Sequence, residues 1–212
     1  MRKERQVYPA VFKMDTDMKR AIVDLLEKLN TINYVKPEVI PNIELYMDQV
    51  TSFIEDQLSD SKRRSDDKLL TKTMINNYTK NNLLPPPIKK KYSKEHVLCL
   101  IFIYYFKNIL SINDIRTILG PITDKYFGNK EGLNIEDVYN EVFRIEQEES
   151  TKILKEFSKK YSTAKQAFAD FPEEDRPYLQ TFAYICLLSY DVYTKKMLIE
   201  KIIDDIINND TK

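Results

Sequence analysis

Residues 70–119 read LTKTMINNYTKNNLLPPPIKKKYSKEHVLCLIFIYYFKNILSINDIRTIL, and their order decides the fold. From Thr71 to Asn81, Lys72, Asn76 and Lys80 recur every four residues, with Thr73 and Asn77 beside them. Met74, Ile75 and Tyr78 fall mostly on the opposite side, so the spacing predicts a short amphipathic helix. Asn82 tolerates a left-handed backbone and serves as its stop. Pro85, Pro86 and Pro87 stiffen an extended link. Lys89, Lys90, Lys91 and Tyr92 follow, and Ser93 begins a strongly apolar helix through about Lys107. Ser111 with Asp114 makes a capping pair for a short helix that should end at Gly120-Pro121. The acid there is Asp, where Glu or Gln is usual.

Upstream, Asp15, Thr16 and Asp17 can cap a helix whose apolar positions are Ala21, Ile22, Leu25, Leu26 and Leu29. Residues 1–13 show no clear period. Pro37 and Pro41 break the chain, and an apolar face runs through Ile43, Leu45, Tyr46, Val50, Phe53, Ile54 and Leu58. The stretch 59–68, SDSKRRSDDK, is polar throughout and reads as a loop. Downstream, Asn134 can cap a long helix to about Lys160, and a shorter segment spans roughly 163–169. Pro172 and Pro177 flank the start of a last helix to about Asn208. Its first half, Phe182 to Leu188, is apolar nearly all round and should be buried. The second half is amphipathic.

The whole-chain totals narrow the function. With 212 residues, 42% of them hydrophobic, the chain can bury a real core in one large domain or two small ones. Only 3 glycines occur, against about fifteen at average usage, which disfavours glycine-rich phosphate loops. No apolar run is long enough for a membrane span, and the basic N-terminus lacks the apolar stretch of a signal peptide. Cys99 and Cys186 both lie in apolar helical patterns, as unpaired core cysteines of a cytoplasmic protein would. The single histidine, His96, has no recognisable nucleophile partner and reads as a first-turn helix residue. No P-loop, dinucleotide fingerprint, clustered metal ligands or nucleophile motif is present. The expectation is a non-enzyme with no catalytic residues, no metal and no cofactor.

Charge is balanced overall, yet residues 61–95 hold 10 Lys/Arg against 3 Asp/Glu, a local net of +7. Such a segment in a neutral chain suggests an anionic partner. Asn can bond adenine bidentately in the major groove, and Lys meets phosphate as a point charge. Lys72, Thr73, Asn76, Asn77 and Lys80 are therefore candidates to face DNA bases and backbone. Lys89, Lys90 and Lys91 are candidates for the adjacent backbone or minor groove, and Arg63 and Arg64 of the upstream loop are further candidates for DNA binding. Tyr78 and Tyr92 read as packing residues rather than base-stacking ones.

This segment resembles the DNA-binding domain of MerR-type transcription regulators. Those carry a recognition helix with an aromatic, a Gly-Leu-Leu-x-Pro-like stop, a basic wing, a Tyr-Ser-type cap, an apolar helix and a Ser-Leu-x-Glu-Ile-like final helix. Here the aromatic falls on Tyr78, the stop on Asn82-Leu83-Leu84-Pro85-Pro86, the wing's basic position on Lys90 and its aromatic on Tyr92. The cap is Tyr92-Ser93, and the final helix reads Leu110-Ser111-Ile112-Asn113-Asp114-Ile115. The family's Arg-Tyr pair is Asn76-Asn77 here, the wing has no glycine turn, and an insertion holding Lys62-Arg63-Arg64 separates the first two helices. The upstream helix of the motif is best matched by Ile43 to Val50. The stretches NIELYMDQV, LTKTMINNYTK and PPIKKKYSKEH also resemble an uncharacterised family of Gram-positive bacterial proteins, a domain of unknown function with no established activity.

The expected fold is all-α, a MerR-like winged helix-turn-helix module joined to a C-terminal helical bundle. Residues 1–120 should hold the module, with its core at about 40–120, and residues 121–212 a dimerisation or effector region. The resemblance implies a cytoplasmic transcription regulator that binds double-stranded DNA as a homodimer, without a membrane partner. A small-molecule effector is compatible with the C-terminal region. The missing arginine and neutral total charge favour an alternative, a non-catalytic interaction module working through Tyr184, Tyr190 and Tyr193 or the acidic stretch Glu146, Glu148 and Glu149.

Overall fold

The computed structural model describes residue 20 and residues 35–210. The helix expected from Thr16 lies almost wholly outside these residues. Two compact units are present: one includes Glu149–Lys195, and the other is made from Ile32–Glu148 and Lys196–Lys212.

In the larger unit, helix α1 spans Met47–Leu58 and buries Val50, Ile54 and Leu58, each four residues after the last. The apolar face that the sequence begins at Ile43 does not start there as helix. Ile43 is 64% exposed, and Leu45–Tyr46 form a two-residue strand, β1. Its antiparallel partner is β2, Lys91–Tyr92, with Leu45 opposite Tyr92 and Tyr46 opposite Lys91. The partner lies some 46 positions along the chain, so no local periodicity announces it. This small sheet and an antiparallel bridge between Ile88 and Lys91 are the β-structure among the described residues.

Helix α2, Lys72–Lys80, starts where the Thr71 side chain accepts the Met74 N–H at 3.2 Å. It ends as expected at Asn82, whose φ is +53°. Leu83 N–H donates to the Tyr78 carbonyl at 2.8 Å and Asn82 N–H to the Thr79 carbonyl at 3.2 Å. These are the two bonds of a Schellman stop, and buried Leu83 supplies its apolar contact.

Helix α3, Lys94–Phe106, forms the centre of the core, with every residue from His96 to Tyr104 buried. Around it pack Val50, Ile54, Ile75, Leu84, Ile115, Leu119 and Tyr139. A helix apolar on all sides is stable in water only when neighbours surround it. The Tyr139 hydroxyl donates to the Val35 carbonyl at 2.9 Å.

Helix α4, Ile112–Tyr126, opens on the expected reciprocal cap: Asp114 N–H to Ser111 Oγ at 3.2 Å and Ser111 N–H to Asp114 Oδ2 at 3.1 Å. It does not stop at Gly120-Pro121. Pro121 sits inside it. A proline ring crowds the Cβ of the residue before it, and Gly120 has none. The expected division between residues 120 and 121 thus falls within one helix, and the compact unit continues to Glu148.

Helix α5, Ile135–Gln166, absorbs most of the separate segment expected at 163–169, and helix α6 spans Arg176–Asp210. Asn134 caps α5 as expected, accepting from Glu136 and Asp137 N–H at 2.8 and 3.2 Å. In the smaller unit Tyr184 is buried, its ring edge-on to Tyr161 at 5.5 Å and its hydroxyl donating to the Phe157 carbonyl at 3.3 Å. Lys160 bridges Glu156 and Asp191. The expectation that 182–188 is buried is not met: Phe182 is 54% and Ile185 53% exposed. Cys186 is exposed too, so of the two cysteines only Cys99 is a core residue.

Candidate nucleic-acid interface

Helix α2 turns Ile75 and Tyr78 into the core and leaves Lys72, Thr73, Asn76, Asn77 and Lys80 exposed together on its outer side. Its ends are fixed by Thr71 and Asn82, so this polar face is presented on a short rigid element. Lys72 forms an ion pair with Asp48 in the first turn of α1.

Behind α2 the proline link leads into a tight hairpin. Ile88 and Lys91 exchange backbone bonds, N–H to carbonyl at 3.1 Å one way and 2.9 Å the other. Two residues close the turn, Lys89 at φ +52° and Lys90 at φ +65°. Positive φ at both central positions is the pattern of a type I′ turn, which normally takes Asn and Gly. Lysine carries a steric penalty there of about 1–2 kcal/mol per residue. The glycine whose absence argues against a tight turn is thus replaced by two strained lysines. Both are exposed, and neither has an acidic partner among the described residues. Lys91 differs: it is half-buried, its Nζ 3.3 Å from Glu44 Oε2 and 5.8 Å from the Tyr46 ring centre.

The base of the hairpin is tied to α3 through His96, which is buried. Its Nδ1 accepts the Ser93 backbone N–H at 3.0 Å, and its Nε2 lies 3.4 Å from the Pro86 carbonyl. This arrangement fits the neutral ring with its proton on Nε2. Burial lowers the imidazole pKa below its ordinary value, opposed by the bonds to Pro86 and Pro85. Tyr92 and Phe127 meet the ring edge-on at 5.5 and 4.7 Å. His96 is thus a first-turn helix residue, as expected, and also a brace for the hairpin.

Arg63 and Arg64 are exposed but do not join this surface. They lie in a turn where Asp67 N–H donates to the Arg64 carbonyl at 3.1 Å and Arg64 N–H to Asp67 Oδ2 at 2.9 Å. Arg63 borders a cavity beside Tyr104 and Lys107, at the C-terminal end of α3, while the hairpin adjoins its N-terminus. A helix of 13 residues separates the two by about 20 Å. Sequence reasoning missed Glu44 and Asp48, the acids that hold Lys91 and Lys72. Nothing in their local sequence marks them, because each pairing is made across a tertiary contact.

Among the described residues no three His, Cys, Asp or Glu are grouped to hold a metal ion, and no helix is long and apolar enough to cross a membrane. Burial pushes the Cys99 thiol up to about 12, which makes it a poor nucleophile.

No curated protein and no solved structure matches the chain. Residues 20–142 match the model of the domain of unknown function DUF1836, a span that takes in α1 to α4, the hairpin and the start of α5. That span is more than half of the 212 residues, and the chain belongs to the DUF1836 family.

Proposed function

We propose that the protein is a DNA-binding transcription regulator with a MerR-like winged helix-turn-helix. In this reading α1 and α2 are the helix pair, α2 enters the major groove, and the 88–91 hairpin is the wing. The observation that carries the proposal is the hairpin tip. Two lysines hold a turn that costs them conformational strain, and both ammonium groups are left without acidic partners among the described residues. Strain kept at a surface is most simply understood through what the strained residues touch. Phosphate oxygens on a duplex would supply the counter-charge.

Base contacts fall to Asn76 and Asn77, with Lys72, Thr73 and Lys80 toward the backbone. No catalytic step and no cofactor is assigned. Helix-turn-helix proteins commonly read paired half-sites as dimers, and a homodimer is part of the proposal. Enrichment of one sequence from a random duplex library tests the reading. A recovered motif that Asn76→Ala and Asn77→Ala relax at defined positions supports it; recovery of no motif counts against it.

A second reading has its own observations. Asp48 and Glu44 already neutralise Lys72 and Lys91, and α6 exposes Tyr190 and Tyr193. A non-catalytic interaction module would use that apolar helix face and leave the hairpin without a nucleic-acid role.

A further inference from the structure

At the C-terminal end of α3 lies a cavity of about 360 Å³, bordered by the 61–69 loop on one side and Tyr104, Lys107 and Asn108 on the other. That volume is within the range of small-ligand pockets. Its lining is strongly cationic, with Lys62, Arg63, Lys68 and Lys107 against Asp67.

Each charge has a different status. Lys62 is paired with Glu55, and Asp67 is occupied by the Arg64 backbone N–H. Arg63, Lys68 and Lys107 have no acidic partner among the described residues. Lys107 is half-buried, donating to the Leu69 carbonyl and lying over the Tyr104 ring, its Nζ 4.9 Å from the ring centre. A cation withdrawn from water without a counter-charge is costly, and burial correspondingly lowers the Lys107 pKa. Asn108 adds a neutral donor, with one amide hydrogen already bonded to the Tyr104 carbonyl at 3.0 Å.

We infer that this cavity binds a small phosphate-bearing molecule, with Arg63, Lys68 and Lys107 as its counter-charges. An arginine fork and two ammonium groups suit a compact, multiply charged anion. The recess favours a small ester over a duplex backbone, which would meet an exposed ridge more readily than a cavity. The site lies in the loop that leads into α2, about 20 Å from the hairpin by the length of α3.

The test is calorimetric titration of the full chain with pyrophosphate in a low-salt buffer free of phosphate. One site should be seen. Arg63→Gln and Lys68→Gln, both at exposed positions, should each weaken it about tenfold, the worth of one charge-assisted bond. Lys89→Asn/Lys90→Gly should bind pyrophosphate as the wild type does. Absence of binding at millimolar pyrophosphate overturns the inference. So does binding unaffected by Arg63→Gln and Lys68→Gln, or binding lost in the hairpin variant. A parallel titration with duplex DNA separates the two phosphate sources. If the cavity variants weaken duplex binding as much as the hairpin variant does and leave pyrophosphate unchanged, the cavity serves DNA and the inference fails. The pyrophosphate arm contains no DNA, so its outcome does not depend on whether the chain is a DNA-binding protein.

Discussion

The Nε2 of His96 lies 3.4 Å from the carbonyl oxygen of Pro86, ten residues back along the chain. One buried imidazole therefore caps α3 through Ser93 and holds the link from which the hairpin springs.

The bond to Ser93 requires a neutral ring, whereas the Nε2–H that faces Pro86 is a donor in either state. Protonating Nδ1 would remove the acceptor for the Ser93 N–H. Burial depresses the folded-state pKa below the unfolded value of about 6.5, so the unfolded chain takes up the proton first. The contribution of His96 is full above about pH 6.5 and is lost as pH falls toward the folded-state pKa. His96→Gln keeps an N3 acceptor of the usual capping-box type and does not titrate. Urea unfolding at pH 7.5 and 5.5 should show the wild type losing more stability than the variant. Equal losses in both would contradict the assignment.

The turn lysines should be replaceable with a gain in stability. Lys89→Asn/Lys90→Gly supplies the residues that a type I′ turn prefers, relieving about 1–2 kcal/mol of left-handed strain at Lys90 alone. The midpoint of urea unfolding should rise. A fall would mean that the tip lysines stabilise the fold through their own side chains.

The acids beside the candidate surface should oppose DNA. Glu44→Gln and Asp48→Asn free Lys91 and Lys72 and remove repulsion toward phosphate. Stability should change by less than about 1 kcal/mol, since exposed ion pairs contribute little. Duplex affinity should rise severalfold at low salt, and the gain should shrink as salt rises. Unchanged affinity at low salt would argue that these lysines do not face DNA.

The two cysteines give a direct check on α6. Cys186 is exposed and Cys99 is buried, with its thiol pushed up to about 12. A thiol reagent should modify one cysteine quickly in the native protein and the second only in denaturant. Protection of Cys186 in the native protein would show that its face of α6 is covered in solution.

Features written in adjacent residues were legible in the sequence. Thr71 and Asn82 mark the ends of α2, and Ser111 with Asp114 marks the start of α4, because caps act within three or four residues. The split of α2 into an inner side of Ile75 and Tyr78 and an outer side of lysines and asparagines follows from helical periodicity. What was not legible depends on distant partners. Strand β1 exists because Tyr92 and Lys91 come to lie beside it. Pro121 misleads for a local reason: proline ordinarily ends a helix, but Gly120 before it has no Cβ for the ring to crowd. The hairpin was hidden for a different reason: Lys89 and Lys90 adopt a backbone that lysine rarely takes, so nothing in their residue type marks a tight turn. Glu44 and Asp48 change the electrostatics of the candidate surface from across the tertiary structure.

The central claim is that the hairpin carries DNA. The most direct measurement is duplex binding by fluorescence anisotropy across a salt series, for the wild type and for Lys89→Asn/Lys90→Gly. This variant removes both tip charges while favouring the turn, so weaker binding cannot be ascribed to unfolding. Wild-type affinity should fall steeply with salt. The variant should bind more weakly, with a slope shallower by about 0.9 for each phosphate that the tip no longer neutralises. Equal affinities and equal slopes, or no binding by either protein at low salt, would contradict the claim.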